Sequence, residues 1–181
     1  MKYAPLSDLL RQASINNKNK LMAFYDYSWK DSPNTDRSTG AYIIFYQGGP
    51  IDHGTHVTGP VSQSSAESDY NAACTEGMSL THLRMLINEL LNKDTDIFPE
   101  EYPPIILDSK SAACMDNNGK DTKNTRHIDR RVHFVMNGKK CKMHKIDWCE
   151  GGMKWSYIAT KNVGDNDLNT RMKYIMVRLD N

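Results

Sequence analysis

The sequence predicts an α/β domain, a mixed sheet with helices packed on its faces, and three observations predict it. Three apolar or β-branched runs separated by turns occupy the N-terminal third, one long stretch of helical periodicity fills the middle, and short strands then alternate with helical segments. The order reads β-β-β-α-β-α-α-β-α.

Residues 1–20 hold a small apolar patch (Leu6, Leu9, Leu10) and the polar run Asn16 to Lys20, which read as a leader or connector; residues 21–181 read as one domain. From Leu21 to Trp29 an apolar and aromatic run is interrupted by a single carboxylate, Asp26, and reads as a strand ended by the polar turn Lys30 to Ser38. Ala41 to Gln47 is a second strand, Gly48-Gly49-Pro50 a turn, and Ile51 to Pro60 a third strand, so an antiparallel meander is expected. Ala72, Met78, Leu83, Leu86, Ile87, Leu90 and Leu91 recur at three- and four-residue steps and mark the longest helix. Ile105-Ile106-Leu107 reads as a buried central strand ending on Asp108. A short helix follows over Ser109 to Met115, another over Ile128 to Met136 closed by Asn137-Gly138, a last strand over Cys141 to Cys149, and a C-terminal helix over Leu168 to Leu179.

Composition narrows the class. With 39% hydrophobic and 25% charged residues in 181, the chain can bury one ordinary core. Mean hydropathy is −0.66, and no apolar run approaches the roughly 20 residues of a bilayer span. No secretory signal is visible and the four cysteines are widely spread, so an intracellular setting with reduced thiols is expected. Net charge is +1, so any electrostatic footprint is local; Arg126, Arg130, Arg131, Lys139, Lys140, Lys142 and Lys145 supply one.

Three acids occupy similar places: Asp26 inside the first strand, Glu67 at the start of the long helix and Asp108 at the end of the central strand. Carboxylates converging there would suit Mg²⁺, a hard cation that takes oxygen ligands. Each also has a plainer role. Ser64-Ser65-Ala66-Glu67 is a capping box, with Ser64 at the N-cap and Glu67 reaching back, and Asp108 can cap the helix after it. Asp26 is the hardest to assign to structure alone, because an acid between Tyr25 and Tyr27 in an apolar strand pays desolvation unless a cation or metal accompanies it.

The residues around these acids resemble the ribonuclease H domain of copia-type LTR retrotransposon polyproteins. Tyr25-Asp26-Tyr27-Ser28-Trp29 is similar to that family's first active-site strand, Thr35 to Tyr42 to its next turn and strand, and Gly48-Gly49-Pro50-Ile51 continues the match. Gln63 to Tyr70 looks like the helix entry with its glutamate, Leu107 to Ala112 like the second aspartate strand, and Thr125 to Phe134 like the basic helix downstream. These blocks run in family order from Phe24 to Lys161.

The resemblance implies an RNase H-like fold, a five-stranded sheet of three antiparallel strands and then strands paired in parallel, flanked by helices. It implies hydrolysis of the RNA strand of RNA–DNA hybrids with two Mg²⁺ or Mn²⁺ ions held by Asp26, Glu67 and Asp108. Substrate contacts are expected at Ser28, Arg37, Ser64, Arg126, His127 and Lys161, with the hybrid gripped by its backbone and sensed through its 2′-hydroxyls. The implied partner is the reverse transcriptase domain of the same polyprotein, in the cytoplasm within the element's virus-like particle; the isolated domain is expected to be a monomer.

The chain departs from the family at a fourth acid, an aspartate in an Ala-Asp-Ile-x-Thr-Lys type motif. Ser156-Tyr157-Ile158-Ala159-Thr160-Lys161 stands there, with Tyr157 in the aspartate's place, and a neutral phenol is a poor Mg²⁺ ligand. A second register offers Asp165 or Asp167 as substitutes. Two functions therefore stand beside each other: a nuclease, impaired or rescued by a substitute acid, and a module that binds hybrid or packs on reverse transcriptase without cutting. His144 between Cys141 and Cys149 lacks the close cysteine pair of a structural zinc site, and zinc is not expected.

Overall fold

The computed structural model describes residues 21–28, 38–47, 49–57, 65–91, 98, 103–107, 134, 137–138, 140–148, 156, 164–166 and 168–169, excepting the side chains of 65–72. The expected connector over 1–20 and the helix over 109–115 lie outside these residues.

Strands β1 (Leu21–Ser28), β2 (Thr39–Tyr46), β3 (Gly49–Val57), β4 (Pro104–Leu107) and β5 (Lys145–Trp148) form one sheet in the order β3-β2-β1-β4-β5, and α1 (Ser65–Leu90) joins the meander to β4. β1 pairs antiparallel with β2, β2 antiparallel with β3, β1 parallel with β4 and β4 parallel with β5. This is the expected mixed sheet.

Alternation sorts the side chains onto two faces. Leu21, Ala23, Tyr25, Ile44, Ile105, Leu107 and Ile146 form one cluster with Ala73, Leu80 and Ile87 of α1. Met22, Phe24, Ile43 and Phe45 form a second, with Ile106 against it and Phe24 edge-on to Phe45 at 5.7 Å between centroids. Burial on both faces explains why β1 reads as a near-continuous apolar run.

Several boundaries differ from expectation. The hairpin between β2 and β3 turns at Gln47, with φ of 51°, and Gly49-Pro50 already belongs to β3. Pairing steps from Ile44↔Asp52 to Phe45↔Pro50, so Ile51 is an extra, bulged residue. Asn137-Gly138 does not close the basic helix, because both residues and Lys140 are helical. β5 begins at Lys145 and not at Cys141; the chain before it turns, with Lys142 at φ 57°. Helical residues near the C-terminus begin at Asp165 and not at Leu168.

Two polar residues of the interior tie α1 to the rest. Arg84 is buried and donates to the carbonyls of Lys142, Met143 (3.3 Å) and Phe98 (3.0 Å), with its guanidinium 5.6 Å from the Phe98 ring centre. His144 is fully buried, stacks on Phe134 at 5.7 Å and packs against Gly77 of α1 and Gly138. Either glycine's α-carbon approaches the ring so closely that a methyl group there would meet imidazole atoms. Its role in the interior is packing between two helical segments.

Candidate active site

The C-terminal ends of β1 and β4 lie side by side because the two strands run parallel. Asp26, third from the end of β1, is only 2% exposed. It pairs with Ala41 of β2, and the next pair is Tyr27 with Gly40. By alternation it shares the face of Phe24 and Met22.

β4 ends at Leu107, so Asp108 is the first residue beyond the strand and lies outside the described residues. The register gives its sequence position meaning: Phe24 pairs with Ile106, and Asp26 and Asp108 each lie two residues further along their chains. Glu67 is the third residue of α1, in its first turn; its side chain is not among those described. α1 starts at Ser65, as a cap at Ser64 requires. Ser28 is half-buried at the end of β1, opposite Thr39. Arg37, Ser64, Arg126, His127, Tyr157, Lys161 and Asp167 fall outside the described residues, while Asp165 is exposed in a helical turn closed by Leu168 N–H donating to Gly164 O at 3.0 Å. Among the described residues no group of three or more His, Cys, Asp or Glu side chains could hold a metal ion.

Beside Asp26, on the α1 side of the sheet, Tyr25 crosses β2 to reach β3. Its hydroxyl is 3.4 Å from Nε2 of His56, a long contact, and burial lowers the His56 pKa, favouring neutral imidazole. Gly40 makes this crossing possible, since a β-carbon there would strike the Tyr25 hydroxyl. Tyr25 is buried and rigid and has nowhere to retreat. Gly40→Ala is expected to lower stability by about 1–3 kcal/mol, the usual cost of overpacking, measured as a fall in the urea midpoint; an unchanged midpoint would refute the steric account.

A group missed in the sequence is Glu76. It is 1% exposed, lies on the core stripe of α1, and its Oε1 has no hydrogen-bond partner. Burial, then the charge of Asp52, pushes its pKa up to about 8. Tyr42 donates its hydroxyl to Asp52 Oδ2 at 3.4 Å, and burial and these two acids raise the phenol's pKa as well. The only signal in the sequence was spacing: Ala73, Glu76, Gly77, Leu80, Arg84 and Ile87 repeat at three or four residues, with two charged residues among them.

No protein-family model matches the chain. Over 105 residues, 58% of the chain, it is 30% identical to the retrovirus-related Pol polyprotein from transposon TNT 1-94 of Nicotiana tabacum, spanning 7% of that polyprotein. Its fold is similar to RNase H1 from the halophilic archaeon Halobacterium salinarum (TM-score 0.52, 12% identity, 83% of this chain and 98% of that one). It is also similar to the N-terminal RNase H domain of a Mycobacterium tuberculosis protein, solved as a fusion with maltose-binding protein (TM-score 0.52, 9% identity, 87% and 99%). The fold is RNase H-like, and the chain resembles a segment of a retrotransposon polyprotein.

Proposed function

From an RNase H-like fold in a chain similar to a small part of a retrotransposon polyprotein, we propose that this protein is a ribonuclease H that cleaves the RNA strand of RNA–DNA hybrids. The observation that carries the reading is the β1–β4 register, which relates Asp26 to Asp108 through Phe24↔Ile106, with Glu67 in the first turn of the helix packed on the same strands. The donor chemistry fits a hard cation, since all three groups are carboxylates. Asp26, Glu67 and Asp108 would hold two Mg²⁺ or Mn²⁺ ions, which when bound supply an activated water and charge stabilisation at the leaving 3′ oxygen. Asp26 is fixed by its strand and presents its charge without reorganisation. Ser28, Arg37, Ser64, Arg126, His127 and Lys161 are assigned to the sugar-phosphate backbone, so hybrid affinity should fall as salt rises. The domain would work beside the reverse transcriptase of its polyprotein, in the cytoplasmic particle of the element.

A second reading, a hybrid-binding module without cleavage, is favoured by one observation: Tyr157 at the position of the fourth acid. Cleavage of an end-labelled hybrid in Mg²⁺, and separately in Mn²⁺, decides between them. We expect cleavage by the wild-type chain and none by Asp108→Asn, with Tyr157→Asp raising the rate. Cleavage lost on Asp165→Asn would make Asp165 the substitute ligand. Cleavage by Tyr157→Asp alone would establish the binding module, and none by either, in folded protein, would overturn the nuclease reading.

A further inference from the structure

β3 stands at the edge of the sheet, and among the described residues β2 is its one strand neighbour. An edge presents the backbone N–H and C=O groups that point away from the sheet to any strand that can pair with them. The side chains of Ile51, His53, Thr55 and Val57 are exposed, Ile51 by 45% and Val57 by 55%. Natural edges are guarded by lysines, by a proline within the strand, or by bulges that turn it away. The stretch Asp52 to Val57 carries none of these. Asp52 is its one acid, it holds no lysine, arginine or proline, and its pairing with β2 runs unbroken from Ile44↔Asp52 to Thr39↔Val57, with the bulge at Ile51 falling just before it.

The strand is complementary to itself. Laid antiparallel on a second β3 about a two-fold axis through Gly54, Asp52 falls opposite His56, His53 opposite Thr55, and Ile51 opposite Val57, each pair occurring twice because the contact is isologous. A carboxylate then meets an imidazole that can donate to it, apolar meets apolar, and no like charges face each other. The faces agree as well. Asp52 and His56 lie on the α1 side, where the Tyr42 hydroxyl reaches the first and the Tyr25 hydroxyl lies near the second, while His53, Thr55 and Val57 lie on the other. At the axis Gly54 puts no side chain between the two backbones. Moving the axis to His53 or Thr55 parts Asp52 from His56 and sets that residue against its own copy.

We propose that β3 pairs antiparallel with β3 of a second copy of this chain, joining two five-stranded sheets into one across a two-fold axis at Gly54. The inference is independent of the nuclease reading, and it sets a dimer in place of the monomer expected from the sequence. One strand pair is smaller than a standard interface, so the dimer is weak.

The test is sedimentation equilibrium of the full chain from about 1 to about 500 µM, the range that populates a small interface. Wild type is expected to pass from monomer to dimer across it. His53→Lys with Thr55→Lys sets like charges opposite each other in two places and is expected to raise the dimer dissociation constant about tenfold, with the thermal midpoint of dilute protein unchanged because both side chains are exposed. His53→Glu with Thr55→Lys sets opposite charges in the same two places and should restore or tighten the dimer, which the neighbouring registers, with like charges on the axis, would not allow. Should the lysine pair fail to fold, His53→Glu with Thr55→Glu poses the same repulsion. A wild-type chain that stays monomeric throughout leaves the edge to a strand of another protein and overturns the proposal. So does a dimer that both double variants leave unchanged, which uses another surface, or one that both abolish, which has another register.

Discussion

Asp26→Asn is expected to reduce hybrid cleavage about a thousandfold, several kcal/mol of transition-state stabilisation, while leaving the protein folded. Asparagine keeps the shape of the buried side chain opposite Ala41 but removes the negative charge a hard cation needs. Because the substitution keeps the volume of a side chain that is 2% exposed, the fold should hold. Activity and urea unfolding measured on the same preparation check both halves. A variant that is folded and cleaves at the wild-type rate would remove Asp26 from the mechanism, and an unfolded one would make it a structural acid.

The largest stability effect should come from Glu76. Its carboxyl holds a proton in the folded chain up to about pH 8, against a usual value of 4.5, because burial and the charge of Asp52 both disfavour the anion. The folded pKa is raised, so the folded chain binds the proton more tightly than the unfolded one. The associated stability is fully present below the unfolded value and is lost as pH rises from about 4.5 to about 8. At pH 8 the loss is on the order of 4 kcal/mol, a large part of a typical domain's stability. Glu76→Gln removes the titration while keeping the shape. Urea midpoints at pH 5 and pH 8 should differ widely in wild type and little in Glu76→Gln, which is expected to be the more stable protein at pH 8. Parallel pH dependence in the two would show that Glu76 does not carry the effect.

β1, β2 and β4 were legible because each is a largely apolar or β-branched run, and Asp26 was conspicuous because it breaks the first. α1 was legible through periodicity, and the capping box marks its start at Ser65. Boundaries that depend on pairing were less visible. Gly48-Gly49-Pro50 carries turn residues, yet β2 supplies partners for Gly49 and Pro50 and accommodates the surplus by bulging at Ile51. Asn137-Gly138 looks like a helix stop, but His144 needs a residue without a side chain against its ring, and Gly138 serves that need inside the helical turn.

The sequence by itself determined the α/β class and the order of strands and α1 along the chain, and it marked three acids as candidates, because local patterns fix an element and mark a charge placed where apolar residues belong. Only the tertiary structure decided that Glu76 is enclosed beside Asp52 and that Arg84 spans to the carbonyls before β5. A helical stripe does not say which strand it will cover, and a charged residue on it reads as surface until that strand is known. The cost of burying a polar group is set by neighbours distant in sequence, which only folding brings together.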